Sequence, residues 1–181
     1  EFRRVLFRSV VNTLTAKLEA AKKPPKVTWV KPAALHVTIK FLGEVSEEHV
    51  SRLSAVLEPP IDMEPFSIEW RGLGTFPNNR HPRALWLGVT NGAARLADVE
   101  AEVSRRLAGA AAFELDDRAF LPHLTIGRVK MAGEGIDWPK VLQAAEVRHV
   151  SSFVDRVTLY RSELSQFGPN YTGLVTSLLE K

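Results

Sequence analysis

Apolar residues recur at helical spacing through residues 10–22, where Val10, Leu14 and Leu18 share one face and Pro24-Pro25 ends the run. Val27–Lys31 is a short β-like stretch before Pro32, and Leu35–Leu42 is β-rich up to Gly43. Residues 46–57 form a second helical segment, with Ser46 as its N-cap and Glu47 and Glu48 suited to the positive helix start; Pro59-Pro60 closes it. Phe66–Thr75 alternates Phe, Ile, Trp and Leu in strand fashion. The turn-rich Phe76–Pro82 leads into a strand at Ala84–Val89. Residues 92–108 carry Leu96, Val99, Val103 and Leu107 on one helical face. Asp116-Asp117 marks a turn, Leu124–Val129 a strand, residues 138–147 a short helix, and Phe153–Tyr160 and Tyr171–Leu179 two last strands. The pattern is α+β. Tight turns and single helices between strands favour antiparallel or mixed sheets over a doubly wound parallel one.

Length and composition narrow the classes. The chain has 181 residues, 45% of them hydrophobic and 25% charged, the range of one globular domain. No apolar run approaches membrane-spanning length, so no membrane partner is expected. Cysteine is absent, which removes disulfides, thiolate nucleophiles and thiolate metal sites and fits a cytoplasmic setting. Residues 1–9 (EFRRVLFRS) read as a non-native N-terminal artefact, the in-frame translation of a sequencing-library adapter; the alternative is a basic edge strand. Residues 10–181 are then a single domain. The net charge of +3 falls to +1 without residues 1–9, so the overall balance says little about nucleic acid, and a basic patch would be local.

One short pattern repeats. Leu35-His36-Val37-Thr38-Ile39 matches Pro122-His123-Leu124-Thr125-Ile126, with the two histidines 87 residues apart. With five His, ten Thr and five Ile in the chain, about 0.008 occurrences of His-x-Thr-Ile are expected by chance, and two are present. Positions i and i+2 of a strand face the same way, so His36 projects with Thr38 and His123 with Thr125. If the two strands face each other across a groove, as two similar lobes would place them, two imidazoles and two hydroxyls converge. Hydroxyls can donate to the nonbridging oxygens of a phosphodiester. One imidazole can take a proton while the other gives one, and an imidazole titrating near neutrality permits both states. A metal site is the competing reading. It is disfavoured because neither motif contains an acidic residue and no His-x-x-x-His pattern occurs. A Ser-His-Asp triad lacks its nucleophile elbow.

HVTIKFLGEV and HLTIGRVK resemble the paired motifs of the two-histidine phosphoesterase superfamily and, within it, the RNA 2′,3′-cyclic phosphodiesterase (2′-5′ RNA ligase) family. GTFPNNRHPRALWLGV resembles that family's segment between its lobes, and LYRSELSQFGPNYTGLVTSLL its closing hairpin. The resemblance runs from Val10 to Lys181. It implies a bilobal, pseudo-twofold α+β fold with two sheets lining a cleft and helices outside. It also implies a monomer acting on RNA 3′ ends or small cyclic nucleotides, hydrolysing a 2′,3′-cyclic phosphate to a 2′-phosphomonoester without metal or other cofactor. His36 would be the proton donor, His123 the proton acceptor, and Thr38 and Thr125 the phosphate ligands.

Further residues are candidates for holding the substrate. Arg128 lies five residues after His123, an odd interval that turns it away from the cleft unless Gly127 supplies a bulge; there it would bind phosphate. Lys40, four residues after His36, shares that histidine's face and could attract phosphate or line the cleft rim. Phe76 and Tyr171, then Trp86 and Phe167, could stack a terminal base. Arg80, His81 and Arg83 make a basic turn. Two other functions use the same residues: 2′-5′ linkage cleavage or ligation, and non-catalytic binding of RNA ends. An acid–base pair is superfluous to the second.

Overall fold

A computed structural model describes residues 2–110, 119–145, 150–165 and 168–181. The elements in chain order are α1 (Phe2–Glu19), β1 (Lys26–Trp29), α2 (Glu47–Leu57), β2 (Ile61–Asp62), β3 (Phe66–Phe76), β4 (Ala84–Val89), α3 (Ala93–Ala108), β5 (His123–Met131), α4 (Trp138–Gln143), β6 (Val150–Val154), β7 (Arg156–Ser165) and β8 (Gly168–Glu180). The chain is α+β and divides into two compact units. One gathers Glu1–Thr38, Ile68–Asn91 and Pro122–Ser152; the other gathers Ile39–Ser67, Gly92–Leu121 and Phe153–Lys181.

The first unit is built on a five-stranded sheet in the order β1-β5-β4-β3-β6. β5 pairs antiparallel with β1 and with β4, and β4 with β3. Alternation sends Leu85 and Leu87 of β4, Leu124 and Ile126 of β5, and Ile68 and Trp70 of β3 into the core. Val10, Val11, Leu14 and Leu18 bury one stripe of α1, which packs against α4. The Trp70 indole, buried on β3, donates its N–H to Ser152 Oγ of β6 at 2.8 Å, so its polar atom is satisfied inside the sheet.

In the second unit, α2 packs on α3 and on β8. β8 pairs antiparallel with β7 and parallel with the two-residue β2. Leu53 and Leu57 of α2 and Leu96, Val99, Val103 and Leu107 of α3 make the apolar layer. The buried Ser177 hydroxyl of β8 donates to the Leu57 carbonyl, capping an orphan acceptor at the end of α2. Arg106 ties the following turn to α3: its guanidinium reaches Glu102 at 2.7 Å and the carbonyls of Pro59 and Pro60. Hydrogen bonding from Arg105, reinforced by Arg106, outweighs burial and holds the Glu102 carboxyl down to about 2.

Several boundaries differ from the sequence pattern. Residues 2–9 continue α1 as helix, so the alternative of a basic edge strand is not what the chain forms. Leu35–Leu42 does not form a continuous strand; its one ladder contact is an antiparallel bridge from Val37 to Leu124. The short helix ends at Gln143, and two strands, β6 and β7, stand where the pattern predicts one. Asp116-Asp117 lies outside the described residues. No described helix is long and apolar enough to cross a membrane.

Candidate active site

The two His-x-Thr motifs meet because one edge of β5 receives the chain twice. β1 pairs with the far half of β5, Trp29 opposite Gly127, and the Val30 amide still donates to the Ile126 carbonyl at 3.0 Å. A 3-10 turn at Pro32–Ala34 then lifts the chain off the edge. Pro32 suits the first helical position, where its missing N–H is not needed. Leu35, 4% exposed, anchors the return, and Val37 rejoins β5 opposite Leu124. β4 holds the other edge of Leu124, through Leu87.

Residues opposite each other in a ladder point to the same face. Leu35 and Leu124 are buried, whereas His36 and Thr38 are exposed and His123 and Thr125 half-buried. The bridge therefore sets His36 across from Thr125 and Thr38 across from His123, all four on the outward face. Cross-strand neighbours on one face lie roughly 5 Å apart at Cβ, and the diagonal pair, here the two histidines, roughly 7–8 Å. That diagonal leaves room for one phosphoryl group with an imidazole on either side. Both motifs belong to the first unit, so the repeat does not assign one motif to each unit.

His36 Nδ1 lies 2.8 Å from the Ala34 carbonyl oxygen. A carbonyl only accepts, so Nδ1 carries a hydrogen and donates. The 3-10 turn thus fixes both the position and the tautomer of His36. His123 sits against two aromatic rings: Phe76 edge-on at 4.9 Å between centroids, and Trp86 at 6.3 Å.

Arg128 turns to the same face through a bulge. Gly127 pairs with Leu85, but the next pair along is Thr125 with Trp86, leaving Ile126 as an extra residue on β5. Arg128 then pairs with Ala84, four places along β4 from Gly88, the partner of His123. The odd interval in sequence becomes an even one in space. The bulge falls one residue before the glycine expected to supply it.

Lys40 requires a correction. The strand stops at the bridge, so the parity that joins Lys40 to His36 in a continuous strand does not hold. Its ammonium pairs with Glu100 at 2.9 Å in the second unit, with the two side chains 14% and 19% exposed. Ser104 adds a hydrogen bond to the same carboxylate at 2.7 Å. Burial pushes the Glu100 carboxyl up, but the Lys40 and Ser104 hydrogen bonds and the Lys40 charge outweigh it and hold it below the ordinary carboxylate range. Tyr171 belongs to β8 of the second unit, opposite Ser162 and edge-on to Tyr160 at 6.1 Å. Phe167 lies outside the described residues. In the loop before β4, Asn78 Oδ1 accepts the amides of Arg80 and His81, whose side chains are exposed. Among the described residues no three His, Asp or Glu side chains gather in a metal-binding cluster.

Sequence reasoning ranks Trp86 only among the weak stacking candidates, although its place beside His123 and Phe76 is central. The readable signal is Ala84-Leu85-Trp86-Leu87-Gly88, in which one outward-facing indole stands between two small residues while both leucines go to the core. The Ala34 carbonyl leaves no trace in side-chain patterns.

The sequence profile of the 2′-5′ RNA ligase superfamily matches residues 8–166, and the chain belongs to that superfamily. It is similar to proteins named RNA 2′,3′-cyclic phosphodiesterase. One from Aquifex aeolicus is 33% identical, covering 80% of this chain and 77% of that one. One from Methanothermobacter thermautotrophicus is 36% identical, with 82% and 80% covered. Among solved structures, a protein from Thermus thermophilus superimposes with a TM-score of 0.72 at 24% identity, covering 97% of this chain and 92% of that one. Escherichia coli LigT complexed with 3′-AMP gives 0.66 at 24% identity, covering 97% and 93%. At these identities the structural likeness speaks to the fold.

Proposed function

We propose that this protein is an RNA 2′,3′-cyclic phosphodiesterase that opens the cyclic phosphate to a 2′-phosphomonoester without a metal. The observation that carries the reading is the Val37–Leu124 bridge, which gives two imidazoles and two hydroxyls a common face. The relatives named for this activity, at 33–36% identity over most of the chain, supply independent support.

The chemistry follows from what the four groups can do. Thr38 and Thr125 donate hydrogen bonds to the nonbridging oxygens, and Arg128 adds positive charge where the phosphoryl group gains negative charge. His123 accepts a proton from the attacking water as its oxygen bonds to phosphorus. The bond from phosphorus to the 3′ oxygen breaks, and His36 Nε2 delivers a proton to that oxygen, while its Nδ1–H stays on the Ala34 carbonyl and steadies the imidazolium. The products are a 3′-hydroxyl and a 2′-phosphate; solvent returns the proton from His123 to His36. Phe76, against His123, offers an apolar wall for the terminal nucleoside.

The test is turnover of an RNA ending in a 2′,3′-cyclic phosphate, with and without excess EDTA, and chromatography of the product. EDTA-resistant release of the 2′-phosphate is expected. A 3′-phosphate product would overturn cleavage at the 3′ oxygen, and loss of turnover on EDTA would overturn the metal-free mechanism.

A further inference from the structure

The outward face around His123 contains an aromatic group that the reaction just described does not use. Trp86 pairs with Thr125 on one side and with Gly74 on the other, so its indole stands on the outward face between β5 and β3. Its ring lies 5.3 Å from Phe76 and 6.3 Å from His123, and Phe76 and His123 are 4.9 Å apart. The three rings form a closed triangle, and each limits the motion of the other two.

Two glycines make the seat for the indole. A Cβ on Gly74 would stand 2.2 Å from Trp86 Cζ2 and 2.6 Å from Cε2 and Cη2. A Cβ on Gly88 would stand 3.2 Å from Cζ3. The six-membered ring thus occupies the space that side chains at these two positions would need, and it cannot move toward the sheet. No polar contact holds it: Trp86 Nε1 is buried and has no acceptor among the described residues. An unsatisfied buried N–H is destabilising, in contrast with Trp70, whose indole N–H is bonded. Among the described residues, shape and ring contact retain the indole.

We infer that Trp86 is a positioning residue: seated on Gly74 and Gly88, it fixes the orientation of the His123 imidazole, directly and through Phe76. The kinetic consequences rest on the proposed hydrolysis; the structural consequence for His123 does not. A histidine on a strand has two side-chain rotations to restrict. The Val37–Leu124 bridge acts on the backbone, and the contacts with Phe76 and Trp86 bear on those rotations. A displacement of about 1 Å at a reacting group is enough to slow a reaction about 100-fold.

The test pairs kinetics with NMR of the histidine rings. Trp86→Phe removes the buried unsatisfied N–H and part of the ring, so the thermal midpoint should change little. In that variant kcat should fall about 10- to 100-fold with KM nearly unchanged, and the His123 ring nitrogen resonances and titration should move while those of His36 stay. Gly74→Ala pushes the indole from beneath and should give the same His123 signature. Combined with Trp86→Leu, Gly74→Ala should add little, because the group it displaces is gone. The inference is overturned if the His123 resonances are unmoved by Trp86→Phe. It is also overturned if kcat merely follows the fraction folded, with the pH profile unchanged. If the wild-type protein proves inert on cyclic ends, the hydrolysis reading falls, and the NMR comparison still decides the role of Trp86.

Discussion

Replacing Arg128 with glutamine tests whether the β5 bulge has a functional consequence. Arg128 pairs with Ala84, two ladder steps from the Trp86–Thr125 pair. At about 3.3 Å per step this is about 7 Å along the sheet, within the reach of an extended arginine to an anion held at Thr125. Two unit charges about 4 Å apart interact by about 1 kcal/mol in bulk water and about 4 kcal/mol near a protein surface. Arg128 is exposed, so the lower part of that range applies. A differential of about 1–2 kcal/mol between ground and transition states predicts that Arg128→Gln lowers kcat/KM about 5- to 30-fold. Arg128→Lys should recover part of this, retaining charge without the bidentate fork. The assay is kcat/KM on a cyclic-phosphate RNA at low and high salt, with Lys140→Gln on α4 as a control for net charge. The gap between the two variants should narrow as salt screens the exposed charge. If Arg128→Gln matches Lys140→Gln at low salt, the bulge does not turn Arg128 to use, and the parity argument is wrong.

Other outcomes follow from the same geometry. Lys40→Met leaves Glu100 half-buried with Ser104 as its partner among the described residues, and should cost about 1–3 kcal/mol in denaturant unfolding while kcat/KM of the folded protein stays unchanged; a large kinetic loss would restore Lys40 to the phosphate site. Thr38→Val and Thr125→Val each remove one neutral hydrogen bond and should lower kcat/KM about 3- to 10-fold, measured by initial rates. Glu102 titrates at its ordinary 4.5 when unfolded and at about 2 when folded, so its contribution is complete above 4.5 and is lost as pH falls through about 2. Urea midpoints of the wild type should therefore drop more steeply across that interval than those of Glu102→Gln, and parallel curves would contradict the Arg105–Glu102–Arg106 network.

Local periodicity is readable in the sequence, and long-range pairing is not. The faces of α1 and α3 and the strand at β4 follow from spacings of a few residues, as does the joint projection of His123 and Thr125. The convergence of the two motifs depends on Val37 meeting Leu124 across a 3-10 detour, a pairing no local pattern specifies. Lys40 reads as a cleft residue only on a continuous strand; its partner, Glu100, is 60 residues away on α3. Arg128 is placed by parity, and parity holds only where the ladder is regular. Gly74 reads as an ordinary strand glycine until the indole lying across it is seen.

His36 and His123 are proposed to act as acid and base on one phosphodiester. The most direct measurement is single-turnover hydrolysis of an RNA 2′,3′-cyclic phosphate by the wild type, His36→Ala and His123→Ala across pH. Each substitution should slow the reaction about 10²- to 10⁴-fold, and the wild-type profile should be bell-shaped and lose one limb in each variant. A variant that keeps the wild-type rate and both limbs would contradict the claim.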